Sequence, residues 1–176
     1  MLLNFITILG FNFIVITILW ISSLKTRRAD FIDIYWGPSF FFSFLLVLAI
    51  NNSFSVTEII CLVLITIWGF RLGIYLLIRN VNKTEDIRYV KIREARGDIG
   101  LYLTAYLIQI ILIPIVSLPL ISILDTSIDL SFVHWVGILI ALSGILIETI
   151  ADIQLSKFKL DQNNTNKVMD KGLWYY

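Results

Sequence analysis

Five stretches of this chain are each apolar for the length of a bilayer crossing, and that constrains the fold more than anything else in it. A helix rises 1.5 Å per residue, so about 20 mostly apolar residues reach across the hydrocarbon layer. Residues 2–24, 32–50, 59–78, 101–124 and 132–151 meet that length. The first run has no basic residue before it and no Ala-x-Ala-like site after it, so it is expected to stay as a helix rather than be cleaved. Composition agrees: hydrophobic residues make up 58% of the 176 and charged ones 15%, with a mean hydropathy of +0.86. A soluble domain is about half apolar and a quarter charged. Soluble globule, disordered tail, collagen and disulfide scaffold are therefore excluded. The net charge of +1 gives no electrostatic reason to expect nucleic acid. The single cysteine, Cys61, cannot form an internal disulfide and reads as an ordinary buried thiol among Ile59, Ile60, Leu62 and Val63. The expected fold is all-α: one transmembrane domain over residues 1–176, a bundle of five spans with an interfacial helix and a basic C-terminal segment.

Lysine and arginine set the expected orientation. Lys25, Arg27 and Arg28 follow the first run, and Arg79, Lys83, Arg88, Lys91, Arg93 and Arg96 follow the third. Lys157, Lys159, Lys167 and Lys171 follow the fifth, while residues 51–58 and 125–131 carry none. This alternation predicts basic segments in the cytoplasm and the N-terminus outside. Trp20, Trp36 and Trp135 sit near span boundaries, where amphipathic rings are favoured. Residues 80–100 read as a short helix along the inner surface. Thr84 is expected as its N-cap, Glu85 and Asp86 in its first turn, Arg96 in its last turn and Gly97 at C′. The other reading is a basic solvated loop that only anchors topology.

Polar groups at membrane depth are costly, so they mark candidate sites. Asp33, Arg71, Gln109, Glu148 and Asp152 all fall in the half of the bilayer nearest the basic segments. Arg71, about 12 Å along the helix from Arg79, needs a carboxylate or water. A plain ion pair with Glu148 or Asp33 would satisfy it without further function. Gly137, Ala141, Gly144, Glu148, Ala151 and Asp152 recur at spacings of three and four, which puts small residues and both carboxylates on one helix face. Tyr102, Tyr106 and Gln109 share a face of the fourth span, whose outer half Pro114 and Pro119 can kink. Trp36-Gly37-Pro38 is expected to break the second. The result is a bundle closed on one side, with polar walls opening toward the basic side. His134 beside Trp135 reads as an interfacial, non-catalytic residue. No metal-ligand cluster, phosphate loop or nucleophile–base pair is present. Lysines following the carboxylate helix provide the charge a nucleotide would need.

An ordered series runs through the chain: Asp33-x-x-Trp36-Gly37, Trp68-Gly69-Phe70-Arg71, and Glu85-Asp86-Ile87-Arg88-Tyr89 with Arg93. Glu148-x-x-x-Asp152-x-Gln154-x-x-x-Phe158 and Gly172-Leu173-Trp174 complete it. The series resembles a bacterial multi-pass membrane family, largely of unknown function, grouped with the steroid 5-alpha-reductases. The resemblance implies NADPH-dependent reduction of a carbon–carbon double bond beside a carbonyl, in a steroid- or lipid-like substrate. Carried over by position, cofactor contacts fall on Glu148, Asp152, Lys159 and Lys167, where the reductases have asparagine for Glu148 and arginines for the lysines. Tyr89, Asp33 and Tyr106 are the candidate proton donors, with Arg71, Gln109, Glu85, Asp86 and Arg88 around them. The family continues past Gly-Leu-Trp with an Arg-His-Pro-Asn-Tyr-Phe-Gly-Glu stretch, so the chain is expected to be a shortened member, one that need not turn over. Two other readings stay open: a membrane methyltransferase like the isoprenylcysteine enzymes, and a non-enzymatic lipid-binding protein.

Overall fold

A computed structural model describes residues 1–81, 83–124, 130–165 and 167–175. It divides into two compact units, Met1–Ile128 and Asp129–Tyr176. The described residues contain helices and no strand, as lipid demands of a chain whose backbone groups find no water. The elements are α1 (Leu2–Thr26), α2 (Phe31–Asn51), α3 (Val56–Asn80), α4 (Ile87–Leu101), a π-helical turn (Tyr102–Tyr106), α5 (Leu107–Val116), α6 (Leu118–Ser122) and α7 (Phe132–Leu160). Among the described residues, five helical stretches are long and apolar enough to cross a membrane: α1, α2, α3, Ile87–Ser122 and α7.

Helix ends follow local chemistry. Ser55 opens α3 with a capping box. Its hydroxyl accepts from the Glu58 N–H at 3.4 Å, and the Glu58 carboxylate accepts from the Ser55 N–H at 2.6 Å. Ser53 donates to the second Glu58 oxygen at 2.6 Å, which explains how this carboxylate can be buried. Arg27 ends α1 and Asn52 ends α2, both in the left-handed region at φ 55° and 48°.

The tightest pairing in the first unit joins α2 and α3 through glycine backbone. A Cβ on Gly69 would lie 2.5 Å from the Gly37 carbonyl oxygen, and one on Gly37 would lie 2.5 Å from that of Gly69. One turn further, Gly73 faces the Ile34 carbonyl oxygen and the Pro38 ring, each 3.0 Å from where its Cβ would stand. Pro38 leaves the Ile34 carbonyl without its helical donor. The expected break at Trp36-Gly37-Pro38 does not form, and α2 runs unbroken through Pro38. Trp36 and Trp68, each next to its glycine, meet edge to face at 5.8 Å. Small residues that let two backbones touch are how membrane helices gain dispersion contact without a hydrophobic drive.

α1 is fastened by hydrogen bonds. Asn12 is fully buried; it donates to Ser43 Oγ at 2.8 Å and to the Ile8 carbonyl at 2.9 Å, and accepts from the Tyr35 hydroxyl at 3.0 Å. Near the other end, Trp20 Nε1 donates to the Asp98 carbonyl at 3.2 Å.

The expected short helix exists, with a corrected start. Asp86 is the N-cap in place of Thr84, its carboxylate accepting from the Arg88 N–H at 2.9 Å. Glu85 stays outside the helix because its carboxylate is committed elsewhere: it accepts from the Ala29 N–H at 2.7 Å and pairs with Arg93. Gly97 takes the expected left-handed break, at φ 68° and ψ −176°. Beyond it the chain passes through the π turn into α5. Further on, α5 and α6 part at Ser117, two residues before Pro119.

In the second unit, α7 begins with Ser131 capped reciprocally by His134: the ring Nδ1 accepts from the Ser131 N–H at 3.0 Å. The chain then turns back on α7. The Leu173 N–H reaches Gln154 Oε1 at 2.9 Å, and Trp174 Nε1 reaches the Ala151 carbonyl at 2.9 Å. Gly172 permits this at φ 63°, where a Cβ would stand 2.5 Å from Gln154 Oε1. Two motifs twenty residues apart in the sequence are thus parts of one turn-on-helix contact.

Candidate functional site

The end of the first unit that carries Lys25–Arg28 and Arg79 is cross-braced by ion pairs. Arg28 grips Asp30 through Nε at 3.1 Å and Nη2 at 2.6 Å, and donates to the Asn80 carbonyl at 2.9 Å, which ties the α1–α2 connection to the end of α3. Arg93 holds Glu85 with two bonds, at 2.5 and 2.8 Å, and its Nε lies 3.2 Å from Asp98. Arg27 reaches Asp98 at 3.4 Å. Paired geometry of this kind is the stronger class of charged hydrogen bond, and here it fixes where α4 leaves the bundle.

Within that brace is a cavity of about 290 Å³, lined by Asp33, Trp36, Leu72, Leu76, Arg79, Arg88 and Gln109. Its acidic group is well held. The Tyr89 hydroxyl donates to Asp33 Oδ1 at 2.6 Å, and Arg88 Nη2 lies 3.4 Å from Asp33 Oδ2. Arg88 also donates to both oxygens of Asp86, at 3.1 and 2.9 Å. That guanidinium keeps Asp86 below the usual carboxylate range, with the helix N–H adding to the effect. α2 supplies the acid, α4 the phenol and guanidinium, α3 the apolar wall and Arg79, and α5 the amide of Gln109. The arrangement can place a proton donor and two cations beside a half-apolar ligand.

The candidates separate into groups. Asp33, Arg88 and Gln109 meet at the cavity; Tyr89 stands behind Asp33, and Asp86 behind Arg88. Glu85 belongs to the brace with Arg93. Tyr106 is fully buried, its hydroxyl donating to the Ala29 carbonyl at 3.3 Å, and it does not line the cavity. Arg71 does not line it either; its Nε and Nη2 are buried. Cys61 is half-buried rather than buried.

In the second unit, Glu148, Asp152 and Lys159 follow one face of α7, because steps of four and seven residues return close to the same azimuth. Lys167 lies past the helix end and, like Lys159, is exposed. Carboxylates one turn apart, followed by ammonium groups, can accept from sugar hydroxyls and meet phosphate, so these residues fit a dinucleotide chemically.

The family described as "Protein of unknown function (DUF1295)" matches residues 19–176. The chain belongs to the DUF1295 family. No curated protein and no solved structure matches it. The DUF1295 match takes in all three glycines of the α2–α3 crossing, every cavity residue and the Gly172–Trp174 turn, and leaves out only the first 18 residues, most of α1.

Sequence reasoning missed three features of this DUF1295 chain. Gly69 and Gly73 form a Gly-x-x-x-Gly pattern inside an apolar run, a recognised signal for close helix approach. Arg79 read only as a topology marker, although it lies at the same depth as Asp33. Leu72 and Leu76 carried no signal beyond being apolar.

Proposed function

We propose that this DUF1295 protein is a membrane reductase that uses NADPH to saturate a carbon–carbon double bond conjugated to a carbonyl in a lipid-like substrate, with its basic segments facing the cytoplasm. The observation that carries it is the Asp33–Tyr89 pair, with Tyr89 Oη 2.6 Å from a carboxylate that opens onto a half-apolar, half-cationic cavity. The ordered motifs, which resemble those of the steroid 5-alpha-reductase group, support the same reading.

The reduction adds a hydride at the carbon β to the carbonyl and a proton at the α carbon. NADPH, when bound, supplies the hydride and leaves as NADP⁺. The protein's own groups do the rest. Arg88 lines the cavity on the side where the developing enolate oxygen would lie, and positive charge there lowers the barrier. Asp33 lines the cavity and relays to the α carbon the proton that the Tyr89 hydroxyl donates to it at 2.6 Å. Tyr89 thus acts through Asp33 and also holds the carboxylate in one orientation. Leu72, Leu76 and Trp36 exclude water from the reacting atoms. Lys159 and Lys167, with Glu148 and Asp152, are the residues that would hold the dinucleotide.

Purified protein in neutral-lipid nanodiscs should melt higher with NADPH and not with S-adenosylmethionine, the donor a methyltransferase would bind. Lys159→Gln with Lys167→Gln should abolish that shift. In turnover with an enone lipid, Asp33→Asn should remove NADPH oxidation, while Tyr89→Phe should lower kcat and move the pH profile with little change in KM. Stabilisation by S-adenosylmethionine alone would replace this reading with a methyltransferase.

A further inference from the structure

The arginines that brace this end of the first unit are matched to carboxylates, with one exception. Arg28 has Asp30, Arg88 has Asp86 and Asp33, and Arg93 has Glu85 and Asp98. Arg79 lines the cavity and has no carboxylate within ion-pair distance among the described residues. Its Nε is spent on Asn80 Oδ1 at 3.2 Å, and its guanidinium lies 5.9 Å from the Tyr75 ring centroid. These contacts hold the head group in place and leave Nη1 and Nη2 without a hydrogen bond among the described residues. A second observation points to the same cavity. Gln109 Oε1 is buried and has no hydrogen-bond donor among the described residues. A buried acceptor left unmade costs about 1–3 kcal/mol, so a donor that arrives with a ligand recovers what the empty cavity forgoes.

We infer that the cavity receives the oxyanion head group of a single-chain lipid: a phosphate or carboxylate on the Nη atoms of Arg79, with a hydroxyl beside it donating to Gln109 Oε1. The acid already present does not oppose this, because the Asp33 charge is met by Tyr89 and Arg88. Size agrees as well. At ~30 Å³ for each water-sized group, 290 Å³ holds about ten non-hydrogen atoms, enough for a phosphate with a three-carbon polyol. Leu72, Leu76 and Trp36 line the side on which the first carbons of the chain would lie. The inference rests on reading this cavity as the substrate site. It narrows the substrate class from lipid-like enones in general to those with an acidic head.

The test is equilibrium binding to the full chain in phosphatidylcholine nanodiscs, corrected for empty discs and run without NADPH. Oleoyl lysophosphatidate and monoolein share a chain and a glycerol and differ by the phosphate. The phosphate should tighten binding about tenfold or more, the range of a charge-assisted pair. Equal affinities would overturn the inference without any variant. Oleate against oleyl alcohol repeats the comparison for a carboxylate and shows which oxyanion is preferred. Glycerol 3-phosphate should not displace lysophosphatidate; displacement at similar concentrations would mean a soluble anion site and refute the lipid. Arg79→Gln should bring the lysophosphatidate to monoolein ratio to about one and Arg79→Lys should keep most of it, as expected of a charge contact. Retention of the ratio in Arg79→Gln would also overturn the assignment. Gln109→Leu should weaken both lipids alike, since the hydroxyl is common to them. NADPH binding is read at Lys159 and Lys167, so failure of the reductase reading and failure of this one give different results.

Discussion

Gly69→Ala isolates the α2–α3 crossing. The added Cβ would stand 2.5 Å from the Gly37 carbonyl oxygen and 2.9 Å from the Gly37 carbonyl carbon. Both are backbone atoms, so no side chain can rotate away. Ordinary van der Waals contact begins near 3.4 Å, so 3.4 − 2.5 leaves about 0.9 Å that must come from moving one helix off the other. A gap of that size forfeits a quarter to a half of each dispersion well it opens. The contacts at stake include Trp36 against Trp68 at 5.8 Å, Phe41 against Phe70 at 5.3 Å, and Gly73 on the Ile34 carbonyl. Overpacking a fitted site costs typically 1–3 kcal/mol, and a backbone clash belongs at the top of that range, so about 3 kcal/mol is expected. The better helix propensity of alanine returns at most ~1 kcal/mol. The assay is reversible unfolding in mixed micelles by SDS titration. Gly10→Ala and Gly137→Ala serve as controls, because a Cβ at either position meets nothing within 4 Å. They should be neutral or slightly stabilising. If Gly69→Ala unfolds together with them, the close approach is not what joins these helices.

Other changes should act through contacts just as local. Tyr35→Phe removes the donor to the buried Asn12 oxygen and should cost about 1 kcal/mol in the same titration, the scale of polar contacts between membrane helices. Gln154→Leu removes the acceptor for the Leu173 N–H. It should release the Gly172–Trp174 turn, seen as faster protease cleavage after Lys171. Asp86, whose carboxylate Arg88 holds below its ordinary range, contributes stability that is present above its unfolded pKa and is lost as pH falls through the lower folded value. The stability gap between wild type and Asp86→Asn should therefore be flat near neutral pH and close at acid pH below about 4.

Much of this fold was legible because apolar run length is a one-dimensional signal. The five expected spans match five helical stretches. The ends of the first three shift by three residues or fewer, whereas the fourth stretch begins fourteen residues earlier, at Ile87, and the fifth runs nine residues further, to Leu160. What the sequence left open depended on competition between groups distant in the chain. Thr84 and Asp86 can both cap a helix. The choice was made by Glu85, which is drawn out by the Ala29 N–H and Arg93 and so cannot occupy a first turn. Pro38 promised a break. No break formed, because Gly73 accepts the close presence of the carbonyl that proline leaves unbonded. Among the candidate residues, the depth argument grouped Asp33 with Gln109, and these two line one cavity. It also grouped Arg71 with them, and Arg71 does not reach the cavity, since depth along a span says nothing of azimuth around it. Arg79 was overlooked for the opposite reason: a basic residue at a span end has an adequate explanation before any site is considered.

The π turn at Tyr102–Tyr106 fixes that azimuth for the arm bearing Arg88 and Tyr89. Such a turn holds one residue more than regular winding needs, and a residue is worth about 100° of rotation. Deleting a single position there would let the chain coil normally into α5, yet it would swing residues 98–101 around the axis and pull Asp98 away from Trp20 and Arg27. The irregularity therefore works as a keyed shaft, and its length in residues, more than its composition, sets the direction in which Asp33 receives its phenol.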